Sequence, residues 1–438
     1  MGIFTTQHNE TIMLKRILFY VLPLLVLPLQ ASDSLSLEIV RRLDHLLGDS
    51  LLRHSQMAMC VYDISDDTLL FSHNELQLMR PASCQKVVTS VAALSLLGTD
   101  YHFSTKLYLD GTQEGTTFKG DVIVRAGFDP LLNSADLEAM ISELSKRGIT
   151  AIQGNLLLDM TMKDTLSRGA GWCWDDDDKL IHPLYLDGKL AFSKPFRNLL
   201  RKAGIQFKGR ALSRPLSETA ELVAEHRRPI KEVMRPMMKE SDNLCAEAVF
   251  YQIAALSQKP KASADDAVKL INDFIDQQGL NSKHYRIADG SGLSLYNYAT
   301  PQLFLKLLRY AYANSKMRRL LFEVLPIAGI DGTLKKRMQL TPAEGNVHAK
   351  TGSVTGVSTL AGYCTTAHGH TLCFVIFNQG LVRASHGRAY QDKVLDALTS
   401  GWPVVEEPIE IIEEPTDTIQ NPAPTDEPVK TEVYNFEE

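Results

Sequence analysis

Between Ser83 and Leu97 the chain runs through fifteen residues that carry a single charge, Lys86, with Pro81-Ala82 in front and Gly98 behind. Alanine, valine and leucine dominate every side of this stretch, which predicts a buried helix beginning at Ser83 and stopped by the glycine. A lysine one turn into such a helix is drawn out of water, and that restricts what can surround it. In Ser83-Cys84-Gln85-Lys86 one helical turn sets the amine beside the serine hydroxyl. Serine is a weak nucleophile until a base takes its proton, and a partly desolvated lysine can do so. A helix N-terminus adds free backbone N–H groups and the positive end of a dipole, both suited to a developing oxyanion. Ser-x-x-Lys alone is a weak signal, expected roughly once or twice by chance in a chain of this length. Here Ser83 is the only serine with a lysine three residues on.

Two further fragments bear on this one. Ser241-Asp242-Asn243 precedes an Ala-rich helical stretch and offers a hydroxyl able to pass a proton and an amide able to hold a peptide carbonyl; taken alone it also reads as a cap or turn. Lys350-Thr351-Gly352-Ser353 falls on an expected strand, where the lysine and threonine suit a carboxylate and Gly352 leaves room for a ligand backbone. Alone, it could be a surface strand. In the order Ser-x-x-Lys, Ser-Asp-Asn, Lys-Thr-Gly the three make up the set found in penicillin-binding proteins and β-lactamases.

The rest of the chain supplies the frame. A length of 438 residues, 44% hydrophobic, supports two or three domains. Lys15 and Arg16 precede the apolar run Ile17 to Leu29, so residues 1–31 read as a secretory signal peptide, with Met13 as an alternative start and an uncleaved anchor as the competing reading. An amphipathic helix is expected over 35–48, a strand pair over 57–65 and 68–71, and short alternating runs over 100–220 that suggest a separate α+β insert with a helix at 134–147. Helical periodicity returns through Lys239 to Ala255, 264–278 and 300–313. Three antiparallel strands follow over 348–379 with a turn at His368-Gly369, and a helix over 388–399. Beyond residue 404 the chain is acidic and Pro-rich; this tail carries a net −10 against −6 for the whole chain, and is expected to be disordered.

The chain resembles the D-alanyl-D-alanine carboxypeptidase/endopeptidase family of low-molecular-weight class C penicillin-binding proteins over roughly residues 35–400. Beside the three motifs, the similar stretches are Gly127-Phe-Asp-Pro, Gly171-Trp-Cys-Trp-Asp-Asp, Asp289-Gly-Ser-Gly-Leu-Ser, Leu325-Pro-Ile-Ala-Gly-Ile-Asp-Gly-Thr-Leu and Ala349-Lys-Thr-Gly-Ser. Leu295 departs from the family, which usually has Arg there. The resemblance implies an α+β fold: a β-lactamase/transpeptidase-like domain, an antiparallel sheet with helices on both sides, over 32–99 and 221–403, interrupted by a smaller α+β domain at 100–220. It also implies an exported, periplasmic enzyme that acts on peptidoglycan stem peptides through an acyl-enzyme and is inhibited covalently by β-lactams. Carried over by position, Ser83 is the nucleophile, Lys86 the base, Ser241 a proton relay tuned by Lys350, Asn243 the holder of a substrate amide, and Thr351 with Lys350 the site for a terminal carboxylate. The backbone N–H groups of Ser83 and Ser353 would form the oxyanion hole.

Two rivals remain. A class A β-lactamase needs a Glu-x-x-Leu-Asn loop, which the sequence lacks; a non-catalytic recognition module would have lost Ser, Lys or Asn, and all are present. No basic stripe suggests nucleic acid, no His-Glu-x-x-His or Gly-rich phosphate loop suggests a metal or cofactor, and none is expected. Asp175 to Asp178 reads as a solvated acidic loop. Peripheral membrane association stays open. Around a two-residue turn at His368-Gly369, Cys364 and Cys373 would lie directly opposite, close enough for a cross-strand disulfide; two buried free thiols fit equally well.

Overall fold

The computed structural model describes residues 37–176 and 179–401. The leader expected at 1–31, the tail expected at 404–438, and Asp177 and Asp178 of the acidic loop lie outside the described residues. Among those described, no helix is long and apolar enough to cross a membrane.

The chain begins with α1 (37–46) and the hairpin β1 (Gln56–Asp63) and β2 (Thr68–His73), then a 3₁₀ turn, Ala82–Cys84, leads into α2 (Gln85–Leu96). A second region follows: β3 (His102–Glu114), β4 (Thr117–Arg125), α3 (Ser134–Lys146), β5 (Ala151–Gln153), β6 (Leu156–Asp159), α4 (Ser193–Lys202), β7 (Gln206–Phe207), β8 (Ala211–Ser213) and β9 (Glu221–Pro229). The chain then passes through α5 (Ile230–Lys239), α6 (Asn243–Ala255), α7 (Ala264–Gln277), α8 (Pro301–Ala313) and α9 (Ser315–Val324). It closes with β10 (His348–Val354), β11 (Val357–Thr365), β12 (Thr371–Gln379) and α10 (Ala384–Thr399). The fold is α+β.

The first sheet has the order β10-β11-β12-β1-β2, antiparallel throughout. Its central strands are buried on both faces, because alternate residues serve two different cores. Ala58, Cys60, Tyr62, Val375 and Phe377 pack toward α2, α6 and α8. Met57, Met59, Val61, Phe374 and Ile376 pack toward α1 and α10. Near-continuous apolar runs such as Met57 to Val61 are what a strand covered by helices on both sides requires.

The second sheet mixes parallel and antiparallel pairs, with β7-β5-β4-β3-β9 as its main path, β6 beside β4 and β8 beside β6. It extends past the expected boundary at residue 220, since β9 pairs with β3 over its whole length and ends on His102↔Pro229. Glu221 to Pro229 is rich in charge, which hides the strand from its sequence pattern. The strand is covered on one side only, and its charged side chains face water or partners. Arg228 grips the junction: its guanidinium meets Asp129 at 2.8 and 3.0 Å, Glu232 at 2.9 Å, and Asp136. These contacts tie β9, the start of α5 and the start of α3 together.

Three local expectations are corrected. The helix at Ser83 begins with a 3₁₀ turn, and regular α-helix starts only at Gln85. Lys239 to Ala255 is two helices, broken where Ser241 takes a left-handed φ of 62° and Asp242 caps α6 by accepting the Cys245 N–H at 2.8 Å. The β11–β12 connection is the loop Thr366–His370, closed by Thr366 N to His370 O at 2.9 Å. This loop shifts the register by one, so Cys364 faces Leu372 and Cys373 faces Tyr363. A one-residue slip reverses the faces: Cys364 enters the core beside α1 and α10, and Cys373 the opposite core. The cross-strand disulfide is therefore excluded by register, and burial pushes both thiols above their ordinary pKa. Alkylation of the denatured, unreduced protein followed by peptide mass spectrometry is expected to find Cys364 and Cys373 both modified; a peptide pair linked through them would refute this register.

Candidate active site

The three motifs arrive at one place from three elements. Ser83 sits half-exposed in the turn before α2, behind Ala82, whose φ of 46° is unusual for a residue with a Cβ. Such a conformation costs on the order of 1 kcal/mol or more and persists only where neighbours over-determine it. They do so here. The Thr359 hydroxyl donates to Pro81 O at 2.7 Å, and the Cys84 thiol donates to Lys350 O at 3.1 Å, so the turn is stitched to β10 and β11. On its other side lies Gly292, where a Cβ would stand 1.9 Å from Ala82 O.

Lys86 is fully buried, and its Nζ reaches three oxygens: Ser83 Oγ at 3.0 Å, Asn243 Oδ1 at 2.6 Å and Ser291 O at 2.8 Å. One amine thus joins α2, the start of α6 and the loop Asp289–Ser294. Lys350 is equally buried; its Nζ meets Ser241 Oγ at 3.0 Å and Thr351 O at 2.7 Å. Burial, and then the neighbouring Lys86 charge, push Lys350 down to about 7. The site therefore pairs two hydroxyls with two amines removed from water. Thr351 is half-exposed and donates to Thr333 Oγ1 at 2.7 Å, and Ser353 lies exposed further along the same strand.

Gly352 has a different reason for being glycine from the one the sequence suggested. A Cβ there would fall 2.2 Å from Thr359 Oγ1, 2.7 Å from Pro81 O and 2.9 Å from Cys84 N. The missing side chain lets β10 lie against the Ser83 turn, so the space it leaves is filled by protein backbone.

Sequence reasoning missed a supporting network behind the site. Glu247, on the inner side of α6, is fully buried and accepts Ser291 N–H at 2.8 Å and Gly290 N–H at 3.1 Å, which fixes the loop whose Ser291 carbonyl receives Lys86. Burial, and then the charge of Asp289, raise the Glu247 carboxyl to about 8. Asp289 holds the same loop through Gly292 N at 2.8 Å, Ser294 N at 2.7 Å and Asn297 Nδ2 at 2.7 Å, and it accepts the Trp172 indole N–H at 2.8 Å. Trp172 and the Gly171 carbonyl, which accepts Leu295 N–H at 3.3 Å, bring the second region to the rim. At the opposite rim Lys239 pairs with Asp331 at 2.6 Å and donates to Leu325 O, which fastens the loop carrying Thr333 to the end of α5. The sequence signal for this network lies in the stretches beginning at Gly171, Asp289 and Leu325, which carry the family resemblance but no role assignable from sequence.

A sheet flanked by helices, carrying a Ser-x-x-Lys turn against a Lys-Thr-Gly strand, defines a penicillin-binding, transpeptidase-like class. The profile of the D-Ala-D-Ala carboxypeptidase 3 (S13) family matches residues 39–183 and 185–400, and the chain belongs to that family. It is 28% identical to the D-alanyl-D-alanine carboxypeptidase DacB of Haemophilus influenzae over 419 residues, covering 76% of this chain and 87% of that protein. The crystal structure of penicillin binding protein 4 (dacB) from H. influenzae superposes with a TM-score of 0.73 at 27% identity, over 81% of this chain and 98% of the other. A second crystal structure of that protein, in complex with a β-lactam, matches with a TM-score of 0.65 at 27% identity over 82% and 98% of the two chains. Membership makes this protein a hydrolase of the D-Ala-D-Ala carboxypeptidase class.

Two measurements test the packing. Gly352→Ala is expected to lower stability by about 1–3 kcal/mol, as overpacking does, and to slow acylation by penicillin, both in part restored by Thr359→Ala. Wild-type melting and labelling in the single variant would refute the close approach. Glu247, with its pKa raised from 4.5 to about 8, contributes stability that is full below 4.5 and is lost as pH rises to about 8. Glu247→Gln is expected to flatten the denaturation midpoint across that window, and an unchanged slope would count against the buried carboxyl.

Proposed function

We propose that the protein is a serine-type D-Ala-D-Ala carboxypeptidase in which Ser83 forms an acyl-enzyme with peptidoglycan stem peptides and, covalently, with β-lactams. The observation that carries this reading is the 3.0 Å contact between Ser83 Oγ and the buried Lys86 Nζ, with Asn243 and the Ser291 carbonyl orienting the amine. Lys86, as the free amine, takes the Ser83 proton while Oγ attacks the carbonyl carbon of the D-Ala-D-Ala amide. The tetrahedral oxyanion is met by the backbone N–H groups of Ser83 and Ser353. Ser241, hydrogen-bonded to Lys350, passes a proton to the departing amine; D-alanine leaves, and the ester on Ser83 is then cleared by water. Asn243 holds the substrate amide through its side-chain N–H. Thr351 and protonated Lys350 face the terminal carboxylate, whose negative charge favours the protonated amine in a site that otherwise holds it near 7.

The same residues serve endopeptidase cleavage of a cross-bridge whose scissile bond follows D-alanine. A cell-wall substrate and the Lys15-Arg16 plus Ile17 to Leu29 segment support export to the periplasm with a cleaved signal peptide.

Intact-protein mass spectrometry after incubation with benzylpenicillin is expected to show one persistent adduct, absent from Ser83→Ala. Rapid drug hydrolysis with no lasting adduct would instead indicate a β-lactamase, and neither adduct nor hydrolysis would leave a non-catalytic module.

A further inference from the structure

Far from Ser83, α4 and β7 enclose an open groove of about 830 Å³ lined by Lys194, Arg197, Arg201 and Lys208, with no acidic side chain among its lining residues. The spacing of Lys194, Arg197 and Arg201 puts all three on one face of α4, while Phe196 and Leu200 turn into the core of the second region. All four cations are exposed. Among the described residues none of them makes an ion pair, whereas Lys202 on the neighbouring face pairs with Glu138 at 2.7 Å. Two are also held in place: Arg201 donates to Asn198 Oδ1 at 3.1 Å, and the Arg197 guanidinium lies 5.7 Å from the centre of the Phe207 ring. Four like charges held around one concavity repel each other, and an anionic ligand relieves that repulsion.

We infer that this groove is a second binding site for the polymeric substrate, taking the carboxylates of stem peptides other than the one at Ser83. The inference rests on the peptidoglycan reading above. Charge favours it, because a wall polymer presents carboxylates repeatedly, and arginine pairs with them in a bidentate fork. Shape favours a chain over a flat lipid surface, since the cations line a concavity. Position excludes a shared stem peptide. In the sheet order β7-β5-β4-β3-β9 the groove lies at the β7 edge, while β9 at the other edge runs into α5 and Ser241. Four strand spacings alone interpose about 19 Å, so a short peptide ending at Ser83 does not span both sites. Engaging two parts of one polymer raises the local concentration of the next scissile bond without altering the chemistry.

The test is cosedimentation of the purified protein with insoluble peptidoglycan, beside the variant Lys194→Gln/Arg197→Gln/Arg201→Gln/Lys208→Gln. The wild type is expected to pellet at low salt and release at high salt, and the variant to bind about tenfold more weakly. Peptidoglycan whose carboxylates are capped as methylamides is expected to abolish the difference. Benzylpenicillin acylation and turnover of a soluble D-Ala-D-Ala peptide are expected to match in the two proteins. Equal pelleting would overturn the proposal, as would selective loss of binding to phosphatidylglycerol vesicles with unchanged binding to peptidoglycan. Should the fourfold variant fail to fold, Lys194→Gln/Lys208→Gln carries the same comparison. Absence of any penicillin adduct in the wild type would refute the catalytic reading alone, because pelleting needs no turnover.

Discussion

A single amine withdrawn from water organises the molecule. Lys86 is surrounded by a serine hydroxyl, an asparagine carbonyl and a backbone carbonyl drawn from three segments distant in sequence. An ammonium buried without partners costs several kcal/mol. The α2 turn, the start of α6 and the loop at Ser291 therefore have to converge for the helix to keep its lysine. The contacts that place Lys86 beside Ser83 are also the ones that satisfy the buried amine, so the geometry of the candidate site is one with the fold's own polar satisfaction. Lys350 repeats the arrangement on a smaller scale, joining β10 to the turn between α5 and α6.

Behind this pair of amines the supports are carboxylates, and each fixes backbone. Glu247 holds Gly290 and Ser291, Asp289 holds Gly292 and Ser294, and Asp331 with Lys239 anchors the loop bearing Thr333. The candidate site is thus framed by a loop whose Gly290, Ser291, Gly292 and Ser294 N–H groups are held by buried carboxylates. Precision of this kind comes from satisfied buried polar groups, which rigidify when complete and destabilise when one member is lost.

Part of this could be read from the chain because the key contact is local. Ser83 and Lys86 share one turn, and the apolar run to Leu97 shows that the turn is buried. The faces of β1 and β12 follow from continuous apolar runs. What escaped depended on distance or on loop geometry. Nothing in the neighbourhood of Glu247 shows that its carboxylate faces two N–H groups forty residues later. The hairpin at 366–370 looked like a two-residue turn, and one extra register step placed the two cysteines in opposite cores. Gly352 was expected to leave room for a substrate backbone; what approaches it in the fold is Pro81 and Cys84, which only the folded strand order reveals. The charged strand β9 lacks an apolar face to announce it, and its place is set by pairing with β3.

The pairing of His102 with Pro229 bears on how such proteins diversify. The second region leaves the first sheet's framework and returns to it at adjacent points of one antiparallel ladder, a gap of about 5 Å that a tight turn could close. Sequence gained or lost between those points leaves unbroken the first sheet, whose β10 and β11 hold the Ser83 turn, so this region can change in length without interrupting that sheet. The restraint on that freedom is at the rim, where Trp172 completes the shell of Asp289 and Gly171 receives Leu295. Any replacement cassette must bring a donor to the first and an acceptor to the second, or the loop that orients Lys86 loses part of its support.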